Sequence, residues 1–287
     1  MQKRAQYRRY TRSRFGNFVI FTFLTVVGLV SVLPMVYCVC TAFKPLEELL
    51  IFPPRFFVSR PTWENFTALP TLLGNLHVPL SRYIFNSLFI TGVSTALQIL
   101  AASLAAFVFS KTNVKGRVAL FYIVQFSLLY NGYTLAIPQF LIFNWTHIVD
   151  TYWVYILPAI PSSMGVFLMK QYMDSSIPGT LIEAAKIDGA SLFRIYGSLI
   201  MPISKPAWMT LLLFSFQSMW SAVPSGTVYS ESLKTLPYVM SSISSGGTAR
   251  AGSAMAVTVM LMIPPILVYF ISQSNVMETM STAGMKG

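Results

Sequence analysis

Six long apolar segments alternate with shorter polar segments along this chain, and this alternation limits the folds open to it. The apolar segments fall at about residues 18–42, 84–109, 119–143, 153–173, 207–223 and 254–274. A helix needs about 20 apolar residues to cross the hydrocarbon core of a bilayer. Only 10% of the 287 residues are charged, whereas ordinary soluble domains carry roughly 25%. The sequence therefore predicts an all-α polytopic membrane protein with six transmembrane helices.

The net charge of +11 is unevenly distributed, and its distribution predicts an orientation. With the N-terminus inside the cell, fourteen Lys and Arg residues fall in inner segments and six in outer ones. This is the direction that the positive-inside rule requires. Six of these cations precede the first apolar run, which is too long for the core of a secretory signal and is interpreted as a retained span. We therefore expect a multi-pass protein of the cell membrane with both termini in the cytoplasm, and no nucleic-acid partner.

The polar segments complete the predicted organisation. The expected parts are a cytoplasmic basic tail at 1–17, a transmembrane domain at 18–274 with outer segments 44–82 and 224–253 and a cytoplasmic loop at 174–204, and a cytoplasmic C-terminal tail at 275–287. The first outer segment is rich in Pro and aromatic residues, which predicts short helices and turns on the outer membrane face. The second is rich in Ser and Gly, a composition typical of a mobile loop.

A charged segment with small residues lies between two strongly apolar runs on the predicted cytoplasmic side. From Glu183 to Pro202 it reads EAAKIDGASLFRIYGSLIMP. One face of a helix, at positions i, i+3, i+4 and i+7, would be formed by Leu181, Ala184, Ala185 and Asp188. Small side chains on such a face let another protein's backbone approach, and the charges give orientation. The residues alone leave two readings open, a docking segment for a soluble partner or a solvated amphipathic loop.

Local signals predict how this segment folds. Thr180 and Glu183 have the spacing of a capping box, which would begin a helix at that point, while Pro178 offers a competing start slightly earlier. Gly189 is expected to end the helix, because glycine adopts a left-handed conformation without a steric cost. Ser191 can then cap the next helix, which leads into the fifth apolar run.

The same segment resembles the EAA motif of the permease subunits of bacterial ABC importers, EAA-x3-G-x9-I-x-L-P. The matching residues are Glu183, Ala184, Ala185, Gly189 and Pro202, with Leu199 and Met201 in place of the usual Ile and Leu. The likeness extends to T-Y-W-x3-L-P at 151–158, I-D-G-A at 187–190 and T-A-G-M-K-G at 282–287. Over essentially its whole length the chain is similar to the MalG-like permeases of carbohydrate importers.

This resemblance implies a type I ABC importer permease fold and a transport subunit that is not an enzyme. The residues implied in coupling to a cytoplasmic ATPase are Glu183, Ala184, Ala185, Asp188, Gly189 and Pro202. The implied partners are a second permease subunit in a heterodimer, two ATPase subunits, an extracellular solute-binding protein near 224–253, membrane lipid and the sugar. ATP and Mg would be bound by the ATPase, with no cofactor, metal or catalytic residue in this chain. Consistent with that division, the sequence has no G-x4-G-K-[ST] phosphate loop.

Two other classes of membrane protein fit the residues less well. An ion-driven secondary carrier usually binds its coupling ion through ionisable residues inside the membrane, and the predicted spans contain almost none. A membrane enzyme needs clustered acids, histidines or metal ligands, and the two histidines, His77 and His147, lie far apart in the sequence.

Candidate residues for a sugar path come from two of the predicted spans. Sugar sites combine aromatic faces with amide and hydroxyl groups, and such side chains occur at Tyr130, Asn131, Tyr133, Gln139, Gln217 and Trp220. Ordinary helix packing and interfacial aromatic belts are the alternative reading of these positions. We expect an oligosaccharide as cargo, while monosaccharides and glycerol phosphate derivatives remain open.

Overall fold

The computed structural model describes residues 14–74, 77–130, 132–223 and 226–284, and over these ranges it is helical without a strand. In chain order the α-helices are α1 (Arg14–Ala42), α2 (Leu46–Leu49), α3 (Glu64–Thr67), α4 (Leu69–Leu73), α5 (Leu80–Lys111), α6 (Arg117–Ser127), α7 (Gly132–Trp145), α8 (Trp153–Ala159), α9 (Ser163–Ser176), α10 (Gly179–Ile187), α11 (Leu192–Ile195), α12 (Met201–Ile203), α13 (Lys205–Trp220), α14 (Leu236–Ser244) and α15 (Ala251–Gly284). A π-helix at Tyr196–Ile200 joins α11 to α12. The predicted all-α fold class is confirmed.

The helices long and apolar enough to cross a membrane account for most of the predicted spans. Within the described ranges these are Phe15–Ala42, Leu80–Lys111, Trp153–Ser176 and Thr248–Met277. The segments Leu192–Ile203 and Lys205–Trp220 meet at an angle of 77° and qualify together as a fifth, broken span.

The predicted third span, residues 119–143, is not one continuous helix. It is divided between α6, which ends at Ser127, and α7, which begins at Gly132. The backbone turns at Leu128 and Leu129, next to an Asn-Gly pair of the kind that favours turns over helix. Neither half is long enough to cross a bilayer alone, so a third crossing by the α6–α7 pair stays a prediction.

Helix α5 lies at the centre of the bundle and connects its two ends. It packs against α8, α9 and α13, while α1, α13 and α14 pack on α15. Ala102 and Ala106 on α5 are almost fully buried, as expected where small residues let helix backbones approach closely. One hydrophobic cluster joins this end of α5 to α9, α10 and α13. A second cluster joins the N-terminal end of α5 to α4, α14 and α15.

The two predicted outer segments differ in how well they match expectation. Short helices and turns do occupy 44–82, as α2, α3 and α4. The expectation of a mobile loop is wrong for residues 236–244, which form α14. Its side chains Leu236, Val239 and Ile243 are buried against α5 and α15. At the C-terminal end α15 continues to Gly284, so no helix end separates the sixth apolar run from the predicted tail.

A proline explains the irregular helix that precedes the bend. Pro202 has no backbone N–H and its ring crowds the preceding turn, and the helix adopts the wider π form over Tyr196–Ile200 directly before it. The chain then bends at Ser204. Trp208 Nε1 donates a hydrogen bond of 3.1 Å to the carbonyl of Met201 across the bend. The angle between the charged segment and α13 is therefore held by a side chain as well as by the backbone.

Candidate functional site

The charged segment begins its helix at the earlier of the two predicted starts. Helix α10 follows Pro178, whose backbone is extended, and its first residue is Gly179. No side chain caps this end, so the capping box predicted for Thr180 and Glu183 is wrong. The rigid φ of proline sets the helix entry, which leaves Thr180 inside the first turn instead of at the cap.

The end of α10 follows the prediction. Gly189 has a φ of +77°, and its N–H donates to the carbonyl of Lys186 at 3.0 Å. The N–H of Ala190 donates to the carbonyl of Ala185, also at 3.0 Å. Ser191 then caps α11, since its hydroxyl accepts the N–H of Arg194 at 3.3 Å. Two successive caps produce a sharp, defined corner between α10 and α11.

One side of this corner is fixed to the bundle. Ile182 and Ile195 are 4% and 1% exposed and belong to the hydrophobic cluster at this end of α5 and α9. Lys111, the last residue of α5, donates from Nζ to the carbonyl of Ile177 at 2.6 Å. The hydroxyl of Tyr196, in the π-helix, and the hydroxyl of Ser103, on α5, form a hydrogen bond of 2.7 Å. The segment is therefore a rigid extension of the helical bundle.

The other side of the corner faces outward and carries apolar side chains. Ile187 is 86% exposed and Phe193 is 84% exposed. Of the predicted docking face, Leu181, Ala184 and Asp188 are exposed and Ala185 is half-buried. Sequence reasoning missed Ile187 and Phe193. Their exposure could have been suspected from the sequence, because both are large apolar residues in a charged segment and they lie on either side of the predicted helix end at Gly189.

The remaining predicted coupling residues lie on the same exposed surface or at the bend. Glu183 is exposed, and the described part of the structure gives its carboxylate no hydrogen bond or ion pair. Pro202 is exposed in α12, next to the bend at Ser204. Large exposed apolar side chains beside an unpaired charge are typical of a protein–protein contact surface. The surface can dock a partner, and its rigid mounting can transmit the partner's movement to α13.

A cavity of about 270 Å³ lies between α7, α8 and α13. Gln139 on α7 and Tyr155 on α8 supply polar groups to its lining, and Phe140 and Met219 supply apolar ones. The hydroxyl of Tyr155 is 3.3 Å from the carbonyl of Leu233, to which it donates. Of the residues predicted for the sugar path, Gln139 lies here.

The other residues predicted for the sugar path are not brought together with Gln139. Gln217 and Trp220 line a separate cavity of about 480 Å³ next to α14 and α15. Trp220 is 4% exposed and donates from Nε1 to the carbonyl of Leu261 at 2.8 Å. Tyr130 is 59% exposed and makes an edge contact with Phe126.

Two of those predicted residues have side chains outside the described part of the structure. Asn131 lies in a gap between described ranges, and only the backbone of Tyr133 is described, in the first turn of α7. The role of all six residues in a sugar path stays a prediction.

A buried polar network at the opposite end of α5 was not predicted from the sequence. Asn86 is fully buried and donates from Nδ2 to the carbonyls of Ser232 and Lys234, each at 2.8 Å. The hydroxyl of Tyr152 donates to Asn86 Oδ1 at 2.8 Å. All the hydrogen-bonding positions of this amide side chain except one lone pair are thus occupied. The network fixes the segment before α14 to α5 and α8.

An acidic residue holds the same outer segment from the other side. Asp150 accepts the N–H groups of Tyr229 and Ser230 at 2.9 and 2.8 Å, and it also accepts the hydroxyl of Ser230. The bond from the Ser230 hydroxyl is the main cause that lowers the pKa of the Asp150 carboxyl below its usual value, and the two backbone bonds and Lys234 act in the same direction. Sequence reasoning passed over Asp150, although it directly precedes the T-Y-W motif.

Comparison with known proteins gives one family and one fold. Residues 98–281 match the family model described as "Binding-protein-dependent transport system inner membrane component". Protein LplC of Bacillus subtilis (strain 168) is 30% identical over 92% of this chain and 92% of its own length. From the same organism, the polygalacturonan/rhamnogalacturonan transport system permease protein YtcP is 27% identical over 96% of this chain and 100% of its own length. The galactooligosaccharides transport system permease protein GanQ, also from that organism, is 28% identical over 98% of each chain.

A solved structure agrees with the architecture. The crystal structure of a bacterial ABC transporter involved in the import of the acidic polysaccharide alginate contains a chain that superposes with a TM-score of 0.77. The match covers 92% of the present chain and 98% of the other, at 22% sequence identity. The two chains share a fold.

Proposed function

Because this chain belongs to the family of binding-protein-dependent transport system inner membrane components, whose members are permease subunits of ABC importers, we propose that it imports an oligosaccharide and couples to its ATPase through α10. The cargo is inferred from the relatives, which include permeases named for rhamnogalacturonan and galactooligosaccharides. Gln139 and Tyr155 line the cavity beside α13, and the amide of Gln139 and the ring of Tyr155 have the hydrogen-bonding and stacking chemistry that a sugar requires.

One observation carries the proposed coupling role. The corner of α10 and α11 presents Ile187 and Phe193 outward while Ile182 and Ile195 fix it to the bundle. An ATPase that grips the exposed side and then changes shape displaces the corner as a unit. The bend at Ser204 passes that displacement to α13, whose residue Met219 lines the cavity. ATP and Mg²⁺ belong to the ATPase in this scheme.

We propose the partners that the family implies. A second permease subunit completes a heterodimer, and two ATPase subunits dock from the cytoplasm, one on each permease. A solute-binding protein delivers the sugar at the opposite face, at the segment before α14, which the buried network around Asn86 and the carboxylate of Asp150 hold in place. Membrane lipid surrounds the bundle.

We further propose that both termini and α10 are cytoplasmic, and cysteine labelling tests this orientation. Ser244 ends α14 and Thr112 follows α5, at opposite ends of the bundle. The variants Ser244→Cys and Thr112→Cys should react with a membrane-impermeant maleimide from outside and inside, respectively. Because Cys38 and Cys40 are free thiols, they are first replaced by Ala. Labelling of both introduced cysteines from outside contradicts the orientation.

Uptake measurements test the whole proposal. In cells that carry the intact importer, Glu183→Lys should abolish uptake of a labelled oligosaccharide and reduce the ATPase that co-purifies with the permease, while the permease remains in the membrane. Lys115→Ala, in the loop between α5 and α6, is the matched control and should have little effect. Normal uptake by Glu183→Lys contradicts the coupling role. Uptake of a glycerol phosphate diester instead of any sugar contradicts the assigned cargo alone.

A further inference from the structure

A third cavity, of about 450 Å³, lies at the α10 end of the bundle between α5, α6 and α9. The transport scheme does not use it, because neither α10 nor α13 contributes to its lining. Its polar lining includes Ser110, Arg117, Gln125, Lys170 and Asp174. Aromatic and aliphatic side chains of α5 and α6 complete the wall.

The cavity has an excess of positive charge. Asp174 is bonded to Lys170 Nζ at 2.6 Å and also accepts the hydroxyl of Ser110. This carboxylate is therefore neutralised within the cavity wall. Lys170 Nζ also lies 4.4 Å from the ring centre of Phe121. With Asp174 paired in this way, the charge of Arg117 remains uncompensated.

Arg117 has donors to spare. Its Nη1 donates to the carbonyl of Thr112, and among the described residues its other guanidinium N–H groups have no partner. A guanidinium has five N–H donors in a planar fork, a geometry suited to phosphate and carboxylate oxygens. The cavity therefore presents the remaining N–H donors of Arg117, beside the ammonium group of Lys170 that is paired with Asp174.

A shallow, open apolar surface on the outside of α6, called here the α6 groove, continues directly from this cavity. The groove has a volume of about 580 Å³ and shares Tyr122 and Gln125 with the cavity. Ile123 and Leu129, which also line it, are 65% and 79% exposed. A free phosphate ion has no apolar part that could contact this surface. The combination of a basic cavity with an adjoining apolar groove fits an amphiphile with an anionic head.

We propose that this cavity binds the headgroup phosphate of an anionic phospholipid, with an acyl chain lying in the α6 groove. Basic pockets between transmembrane helices on the cytoplasmic side are suited to anionic headgroups, and the predicted orientation places this cavity in that leaflet. The bound phosphate bridges Arg117 on α6 to Lys170 on α9. Since α9 leads within three residues into α10, the lipid steadies the base of the coupling segment.

Lipid counting on the purified importer complex tests the proposal. The complex is titrated in detergent with phosphatidylglycerol or with phosphatidylcholine of the same acyl chains, and bound lipid is counted by native mass spectrometry. The wild-type complex should retain one phosphatidylglycerol per copy of this chain in preference to phosphatidylcholine. Arg117→Gln and Lys170→Gln should each weaken retention about fivefold. Arg117→Lys should retain most of the binding, and Lys115→Gln, close to the cavity but outside its lining, should not change it.

Four results would overturn the proposal. Equal retention of the two lipids, or unchanged retention by Arg117→Gln, shows that the cavity does not select an anionic headgroup. Displacement of the lipid by millimolar inorganic phosphate shows a site for a free anion. Cross-linking of Tyr122→Cys to the second permease shows that protein covers the groove. Because bound lipid and not uptake is counted, these results are independent of the proposed transport function. Variants are compared only when the complex retains all its subunits.

Discussion

Gly189 is the residue on which the shape of the coupling corner depends most directly. Its φ of +77° is strained for any side chain, yet a Cβ placed there meets no atom within 4 Å. The change Gly189→Val therefore tests backbone strain without a steric clash, at a cost of about 1–2 kcal/mol. We expect the permease to remain inserted, to hold its ATPase less tightly and to lose uptake, measured as ATPase per permease after purification and as sugar accumulation.

Gly179 provides the matched control for that experiment. A Cβ at Gly179 also meets nothing within 4 Å, and its φ is not positive. Gly179→Ala should therefore keep the ATPase and the uptake. If Gly189→Val behaved like Gly179→Ala, α10 would be only a solvated connector.

Asp150 gives the outer loop a defined response to pH. Its carboxyl has a lowered pKa in the folded protein, chiefly because the Ser230 hydroxyl donates to it. A group of this kind adds stability above its unfolded pKa, about 3.9 for Asp, and that stability is lost as the pH falls through the lower folded value. The protection factors of the Tyr229 and Ser230 amides, which correct the exchange rates for their intrinsic pH dependence, should stay constant between pH 5 and 8. Protection should fall only in stronger acid.

The variant Asp150→Asn distinguishes loss of the Asp150 charge from unfolding of the whole protein in acid. It removes the carboxylate but keeps a side chain of similar size, so the loop should already be less protected at pH 7. A wild-type protein whose loop opened near pH 6 would contradict this assignment, because the group that titrates could not then be Asp150.

At the scale of elements, the polar network at the N-terminal end of α5 joins segments that are distant in sequence. Asn86→Ala removes the donor to the Lys234 carbonyl and the acceptor of the Tyr152 hydroxyl proton. The Ser232 carbonyl loses one of its two donors and keeps the bond from Arg82 Nε. Each buried polar group left unsatisfied costs about 1–3 kcal/mol. We expect a lower melting temperature of the complex and faster hydrogen exchange over residues 226–235. Asn144→Ala, an exposed asparagine on α7, is the control and should change neither.

The sequence predicts elements well where one local pattern determines them. The long apolar runs correctly predicted α1, α5 and α15, because a membrane leaves a helix as the way to satisfy every backbone group. The Ser- and Gly-rich composition hid α14, although Leu236, Val239 and Ile243 have helical spacing. The break between α6 and α7 falls beside Asn131 and Gly132, which visibly interrupt the apolar run in the sequence, but hydropathy alone does not place the end of α6 at Ser127.

The candidate site shows the same limit. Motif spacing was enough to find α10 and the left-handed Gly189. It was not enough to show that Ile187 and Phe193 are exposed while Ile182 is buried, because this depends on how the corner packs on α5 and α9. The contact from Asn86 to Ser232 spans 146 positions, and no local pattern predicts such a pair.

At the scale of the whole molecule, α5 connects the two faces on which partners are proposed to act. Its first turns carry Asn86 in the outer polar network, and its last residue Lys111 bonds to the chain just before α10. Between these points Ser103 is bonded to Tyr196 of the π-helix. A displacement of the coupling corner therefore acts on α5, the helix that also holds the outer loop. This arrangement lets events at the ATPase and at the solute-binding protein influence one another.

The proposed heterodimer rests on the resemblance to carbohydrate importers, and two features of this chain call for a second permease. It has one α10 segment, so a machine with two ATPase subunits needs a second permease with its own docking segment. Helix α7 also exposes Ile137 and Leu141, 75% and 59% exposed, beside the cavity that contains Gln139. We predict that the second permease covers α7.

Native mass spectrometry of the purified importer should find one copy of this chain, one different permease and two ATPase subunits. The Glu183→Lys complex should lose ATPase while keeping the permease pair, since α7 is distinct from the docking corner. An active complex with two copies of this chain and no other permease would contradict the heterodimer.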